Sequence, residues 1–113
     1  MISGSFTNGV YRFFSADQPG TITAGASRSS GDTVFDVIVS DLDGIASIDG
    51  AFLRATDGTQ SDISGSGDWS RRDANSFQHQ DRRGHNRWRN GLVSVTYTDG
   101  NGVQATLTAN WSV

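Results

Sequence analysis

Apolar and polar side chains alternate along the last part of the chain, as they do in strands that bury one face. In the final run the apolar positions are Val103, Ala105, Leu107, Ala109, Trp111 and Val113. In the run before it, Val93, Val95 and Tyr97 alternate with Ser94, Thr96 and Thr98. Asp99-Gly100-Asn101-Gly102 separates the two runs with residues that accept left-handed backbone angles. The pattern predicts a β-hairpin over residues 92–113, which needs an opposing apolar surface.

Three further runs in the middle of the chain predict strands. Residues 33–40 place three apolar side chains on one face and predict a central strand. Residues 47–55 predict the next strand, and Gly50 interrupts their alternation as a β-bulge does, so the pattern leaves the inward face open. Residues 21–24 predict a short strand before these two.

Polar and glycine-rich segments lie between the predicted strands. Residues 26–32 and 56–67 are predicted as connections, and Asp41-Leu42-Asp43-Gly44 as a turn. Residues 68–90 are predicted as a long basic connection, which is either functional or contains irregular strands.

The composition fits one all-β domain. The 113 residues contain 14 glycines and one proline, and no stretch has sustained helical periodicity. The chain has no cysteine, so packing alone must hold the core. No stretch reaches the roughly 18 to 20 apolar residues that span a bilayer, and we expect a soluble chain. Residues 1–18 are predicted as an N-terminal arm or edge hairpin, and residues 19–113 as the domain.

Two segments carry a resemblance to a known fold. Val37-Ile38-Val39-Ser40-Asp41-Leu42-Asp43-Gly44-Ile45 resembles the strand, acidic turn and Gly-Ile that begin the second sheet of immunoglobulin-like β-sandwiches. The stretch from Trp88 to Gly102 is similar to their final hairpin. The resemblance is to the modules of bacterial surface proteins and bacteriophage virion proteins, and it covers residues 20–113. It implies an antiparallel sandwich of seven to eight strands, a structural role, and a location in a virion or at a cell surface.

The charges are unevenly distributed along the chain. All nine basic residues are arginine and all twelve acidic residues are aspartate. Residues 68–90 hold six arginines and three aspartates, a balance of +3 in a chain of net charge −3, which leaves −6 on the rest. That remainder would repel a polyanion, so the charge disfavours nucleic acid as a partner.

The segment 68–90 is the predicted partner- or ligand-binding surface, because arginine and tryptophan concentrate binding energy in interfaces. The candidate residues are Trp69, Arg71, Arg72, Arg82, Arg83, Arg87, Trp88 and Arg89. The partner is predicted to be another protein or a further copy of the chain. The alternative is a glycan, with Trp69 or Trp88 as the platform and the amides of Gln78, Gln80, Asn86 and Asn90 beside it. Trp88 is expected to lie in the core, and a buried ring could not serve as this platform.

Two acidic loops are predicted to meet at one end of the sandwich. Asp41, Asp43, Asp99 and Asn101 would then lie together, and oxygen ligands of this kind suit calcium. The favoured interpretation is that they are ordinary turn residues whose side chains bond their own backbone.

No motif indicates catalysis. His79 and His85 lie six residues apart, which fits no standard zinc spacing, and we expect both to be solvated. No phosphate-binding loop or nucleophile elbow is present, and nothing selects one aspartate pair from twelve. The sequence therefore predicts a non-enzymatic structural or assembly module, with carbohydrate binding or adhesion as the alternative and no cofactor.

Overall fold

A computed structural model of the chain describes residues 20–65 and 67–113. Within these residues the regular structure is entirely β. The eight strands are β1 (Thr21–Ser29), β2 (Asp32–Ser40), β3 (Ile45–Ala55), β4 (Gln60–Asp62), β5 (Ser70–Asp73), β6 (Ser76–Gly84), β7 (Asn90–Asp99) and β8 (Gln104–Ser112). The predicted arm or hairpin at residues 1–18 lies outside the described residues.

The strands form two antiparallel sheets of four. The first sheet has the order β1-β2-β6-β5, and the second has the order β4-β3-β7-β8. This is the strand order of the immunoglobulin sandwich with one extra short strand in the second sheet. The predicted all-β antiparallel sandwich of seven to eight strands is confirmed.

Alternating side chains of both sheets fill the core, because successive residues of a strand face opposite sides. The buried apolar residues are Phe35, Val37, Val39, Ile45, Ala51, Leu53, Ala55, Ile63, Trp69, Trp88, Val93, Val95, Tyr97 and Trp111. The inward face of β7 was predicted correctly, and in β2 the apolar side chains that the pattern placed on one face are buried. For β3, where the pattern left the face open, Ala51, Leu53 and Ala55 point into the core.

The bulge predicted in β3 is confirmed. The pairing of β3 with β7 shifts register between Ile48 and Gly50, and again between Ile45 and Ser47. A residue that is added to one strand of a pair bends that strand and increases its twist. The bulges therefore explain why a strand with a broken alternation still buries its second half.

The prediction that residues 26–32 form a polar connection was wrong. Strand β1 continues to Ser29 and β2 begins at Asp32, so only Ser30 and Gly31 make the turn. Both have positive φ, 50° and 83°, as a two-residue hairpin turn requires. Pairing with β2 along its whole length holds the polar end of β1 in the sheet.

The edge strands β1 and β8, one from each sheet, lie against each other on one side of the sandwich. Trp111 of β8 is buried, and six other inward side chains are only half-buried and pack against the core from its margin. These residues are Ile22, Ala24, Ala26, Ala105, Leu107 and Ala109. The alternation of β8 was predicted in the right register, but burial in this edge strand is less complete than in β7.

Residues 68–90 contain two strands rather than one long connection. Strand β6 pairs with β2 over its full length, and β5 pairs with β6 at the edge of the first sheet. Arg82 and Arg83 consequently lie within β6, where the sequence pattern had placed them in a loop. The described part of the chain contains no helix long and apolar enough to cross a bilayer.

Core side chains are more completely buried than those of the edge strand β8, and we expect their truncation to cost more stability. Leu53→Ala should lower the free energy of unfolding by about 2 to 5 kcal/mol, because Leu53 is fully buried and its loss leaves a cavity. Leu107→Ala removes the same atoms from a half-buried site and should cost about half as much or less. Thr108→Ala, on the exposed face of β8, is the control. Equal losses for the two leucines in chemical denaturation would contradict the half-burial of β8.

Candidate functional site

Both tryptophans of the predicted binding segment are core residues. Trp69 and Trp88 are each only 7% exposed. The Trp69 indole N–H donates to the carbonyl of Ile63 at 2.7 Å, and Trp88 packs edge-on against Phe35 with the ring centres 6.1 Å apart. The interpretation of Trp88 as core is confirmed. Because both rings are covered, neither offers the flat face that a sugar platform requires.

The six arginines of the segment lie at two opposite ends of the sandwich. The β5–β6 turn lies at one end, and β6 then runs the length of the sheet to the other. Arg71 and Arg72 lie near the β5–β6 turn. The Arg71 guanidinium stacks over Phe77 at 4.4 Å and donates to the Ile45 carbonyl at 2.7 Å, so it joins the sheets. Arg72 is exposed beside Asp73.

The other four arginines lie at the end that we call the basic end. It comprises the β1–β2 turn, the β6–β7 loop, and the ends of β3 and β8. Arg28 of β1 and Arg54 of β3 lie at the same end. The basic end therefore contains six arginines: Arg28, Arg54, Arg82, Arg83, Arg87 and Arg89. Three aspartates, Asp32, Asp57 and Asp81, lie at the same end, which leaves a formal charge of +3.

Ion pairs hold only some of these arginines. Arg83 pairs with Asp81 at 2.6 Å, and two exposed pairs, Arg82 with Asp32 at 3.4 Å and Arg87 with Asp57 at 3.6 Å, lie nearby. Solvent-exposed pairs of this kind contribute little to stability. Their arginines therefore remain available to a partner.

Arg28 and Arg89 have no ion pair among the described residues. Their effect is visible at His85, whose ring lies beside the Thr33 hydroxyl at 3.2 Å. Desolvation, followed by the positive charges of Arg28 and Arg89, lowers the pKa of His85 below its usual value. The imidazole is therefore neutral at pH 7 within a positive surrounding.

A broadly open cavity of about 550 Å³ lies beside the basic end, where β3 and β8 end and β7 begins. Its lining residues are Arg54, Ala55, Thr56, Asn90, Gly91, Leu92, Asn110, Trp111 and Ser112. The volume falls within the usual range for small-molecule sites. Strand pairing forms it: Arg54 lies opposite Leu92, and Leu92 opposite Asn110.

Two of the lining residues, Gly91 and Trp111, contribute to the packing beneath the cavity. A side chain at Gly91 would clash with the Arg54 carbonyl, so glycine lets β3 and β7 approach at this point. The indole N–H of Trp111 is buried and has no hydrogen-bond partner among the described residues. This cavity could not be predicted from the sequence, because its lining comes from three segments that are far apart along the chain.

The opposite end, which we call the acidic end, contains the predicted acidic loops. The amide of Gly100 donates to the carbonyl of Gly44 at 3.1 Å, so the two loops meet as predicted. Carboxylate oxygens of Asp41, Asp43 and Asp99 lie within 4.8 Å of one another. The structure thus brings together three of the four candidate calcium ligands through their side chains.

Hydrogen bonds already engage these carboxylates. Asp41 accepts the Asp43 amide at 2.8 Å and the Tyr97 hydroxyl at 2.7 Å. Asp99 accepts the amides of Asn101 and Val103 at 2.8 and 2.9 Å. Asn101 takes part through its backbone. These bonds match the favoured interpretation, in which aspartates stabilise their own turns.

The acidic end has the opposite formal charge to the basic end. Five aspartates, Asp41, Asp43, Asp49, Asp73 and Asp99, face two arginines, Arg71 and Arg72, for a balance of −3. Hydrogen bonds from Ser47, Thr98 and Gln104 lower the pKa of Asp49, so that carboxylate stays ionised well below pH 7. Leu42, in the turn between β2 and β3, is 77% exposed there.

The expectation that both histidines are solvated was wrong for His79. It points inward from β6 and is 3% exposed, with its ring against Trp69. Its Nδ1–H donates to the Asp68 carbonyl at 2.6 Å, while Nε2 lies 3.5 Å from Asp81, too far for a good hydrogen bond. His79 lies opposite Val37 in the sheet, and this pairing turns it inward.

Comparisons of this chain with protein-family models, with curated proteins and with solved structures found no match.

Calcium is expected to leave the melting temperature of the protein unchanged, because hydrogen bonds already engage the carboxylates of Asp41 and Asp99. Differential scanning fluorimetry with and without calcium checks this. A ligand that binds only the native state raises the melting temperature by mass action. A calcium-dependent rise in the wild type that is absent from the Asp41→Asn, Asp99→Asn double variant would contradict the prediction.

Proposed function

We propose that this chain is a non-catalytic structural module, used in the assembly of a virion or a bacterial surface structure, that docks on partner proteins through its basic end. The observation that carries the proposal is the gathering of six arginines from four segments at one end of a chain whose net charge is −3.

The arginines of the basic end are placed for contact with another protein rather than for stabilising the fold. Arg28, Arg87 and Arg89 are exposed, and no neighbour buries their guanidinium groups. Arginine forms planar, bidentate hydrogen bonds with carboxylates and is enriched in protein interfaces. A surface of this kind favours a partner with exposed carboxylates.

The fold supports the structural part of the proposal. Its strand order is that of the immunoglobulin sandwich, which the resemblance of residues 20–113 associates with surface and virion modules. Fold alone does not define function, so the proposal depends on the surface.

Carbohydrate binding is the second candidate, and the cavity favours it. Because Trp69 and Trp88 are buried, a sugar site in residues 68–90 lacks its platform. The cavity offers the amides of Asn90 and Asn110 beside Leu92, a mixture of planar hydrogen-bonding and apolar groups.

The main proposal predicts that Arg87→Ser, Arg89→Ser removes partner binding and leaves the fold intact, because both side chains project from the β6–β7 loop. A photo-crosslinking amino acid at exposed Asn86, in the chain's native cells, should capture a defined partner protein that the double variant loses. Arg72→Ser, at the other end, is the control for charge.

The same probe at Gln80, on the outer face of the first sheet, controls for position. Capture at Gln80 but not at Asn86, or capture at Asn86 that survives the double variant, would contradict docking through the basic end. Circular dichroism establishes that each variant is folded.

The second candidate predicts that a glycan array shows a defined ligand, and that Asn110→Ala abolishes its binding because the Asn110 amide lines the cavity. Thr108→Ala changes the same exposed face of β8 outside the cavity and should retain binding. An array without binding, or binding that survives Asn110→Ala, rejects a sugar in the cavity.

A further inference from the structure

The acidic end presents an exposed apolar side chain where a soluble domain would ordinarily carry a polar one. Leu42 is 77% exposed at the tip of the turn between β2 and β3, and Val103 is 43% exposed in the neighbouring β7–β8 turn. Hydrogen bonds fix both turns: the Gly44 amide to the Asp41 carbonyl at 2.9 Å, and the Asp99 amide to the Val103 carbonyl at 2.8 Å. Leu42 is therefore a projecting apolar side chain on a rigid support.

The basic end has an open cavity beside it that an apolar side chain can enter. The cavity of about 550 Å³ exceeds the size of one leucine side chain, and its lining includes the apolar side chain of Leu92. Arg54 lines the cavity itself, and Arg89 precedes the lining residue Asn90. An apolar side chain that is flanked by carboxylates would therefore contact both apolar surface and positively charged arginines in this cavity.

The charges of the two ends are also complementary. The acidic end has a formal charge of −3 and the basic end one of +3. Complementary potentials between two surfaces favour association and select the orientation of the partners. An end-to-end contact between two copies brings opposite charges together, whereas contacts between like ends bring like charges together.

We propose that copies of this chain associate head to tail, with Leu42 and the turn around it seated in the cavity at the basic end of the next copy. In this contact Asp43, half-exposed beside Leu42, faces the arginines around the cavity. The inference rests on the proposed function, because it names a second copy as the partner that the basic end contacts.

A contact between two different surfaces of the same chain is heterologous, and it continues from copy to copy unless rotation closes a ring. The contact therefore supplies an assembly mechanism that one domain performs without another component. Each copy offers the Leu42 turn and the cavity beside the basic end, and each of the two can be blocked separately.

Sedimentation velocity of the purified chain, over concentrations up to millimolar, tests the proposal. The wild type should form species that grow with concentration. Leu42→Ser should weaken association about tenfold or more, because it removes the apolar group that fills the cavity. Asn110→Trp should have the same effect by filling the cavity from the exposed face of β8, while Thr108→Trp on the same face is its control.

Mixing the two blocked variants gives the sharpest test. Leu42→Ser retains its cavity and Asn110→Trp retains its turn, so an equimolar mixture should form a dimer and nothing larger. A mixture that stays monomeric overturns the proposal, as does a wild type that is monomeric at every concentration. Association that survives Leu42→Ser overturns it as well.

These failures are distinguishable from failure of the proposed function. A monomeric wild type whose probe at Asn86 still captures another protein rejects the head-to-tail contact and leaves docking through the basic end in place. Growth that Arg87→Ser, Arg89→Ser leaves unchanged, with no capture at Asn86, rejects docking through these two arginines and leaves the head-to-tail contact in place. Glycan binding that Asn110→Ala abolishes, without self-association, assigns the cavity to a sugar.

Discussion

The bond between the Tyr97 hydroxyl and Asp41 connects the two sheets at the acidic end. Tyr97 belongs to β7 of the second sheet and is fully buried, while Asp41 follows β2 of the first sheet and is 3% exposed. A buried carboxylate that loses its hydrogen-bond donor costs about 1 to 3 kcal/mol or more. A side chain at Gly20 would clash with the Tyr97 hydroxyl, so glycine at the entry to β1 leaves the space this bond requires. Because Asp41 also shapes the turn that presents Leu42, one buried contact connects the two sheets and helps to position this exposed apolar side chain.

The alternation of side chains predicted the hairpin of β7 and β8, the central strand β2 and the bulge at Gly50, because each of these elements buries one face. It missed β6, where the inward positions opposite β2 include His79, Asp81 and Arg83. With polar side chains on the inward face, β6 has no alternation of apolar and polar residues. The strand is recognised only from its backbone pairing with β2. The second half of β1 was missed for a related reason, since an edge strand with a half-exposed inner face tolerates serine and arginine.

The candidate site was predictable only in part. The meeting of the two acidic loops follows from strand order, and the sequence predicted it correctly. The sequence grouped the arginines of residues 68–90 by their proximity along the chain, but a hairpin separates Arg71 and Arg72 from the other four. Arg28 and Arg54 join those four from strands that are distant in sequence. Tryptophan content suggested a binding platform, yet Trp69 and Trp88 are each only 7% exposed and lie in the core.

The separation of charge between the two ends gives the domain a permanent dipole along its strands. In salt of about 0.1 M the screening length is about 10 Å, so the field of each end extends only a short distance into solution. Within that range an approaching molecule is rotated before it makes contact, and productive encounters become more frequent. At close range the domain therefore approaches a charged surface in a preferred orientation. Its encounters with charged surfaces should become slower and less directional as ionic strength rises.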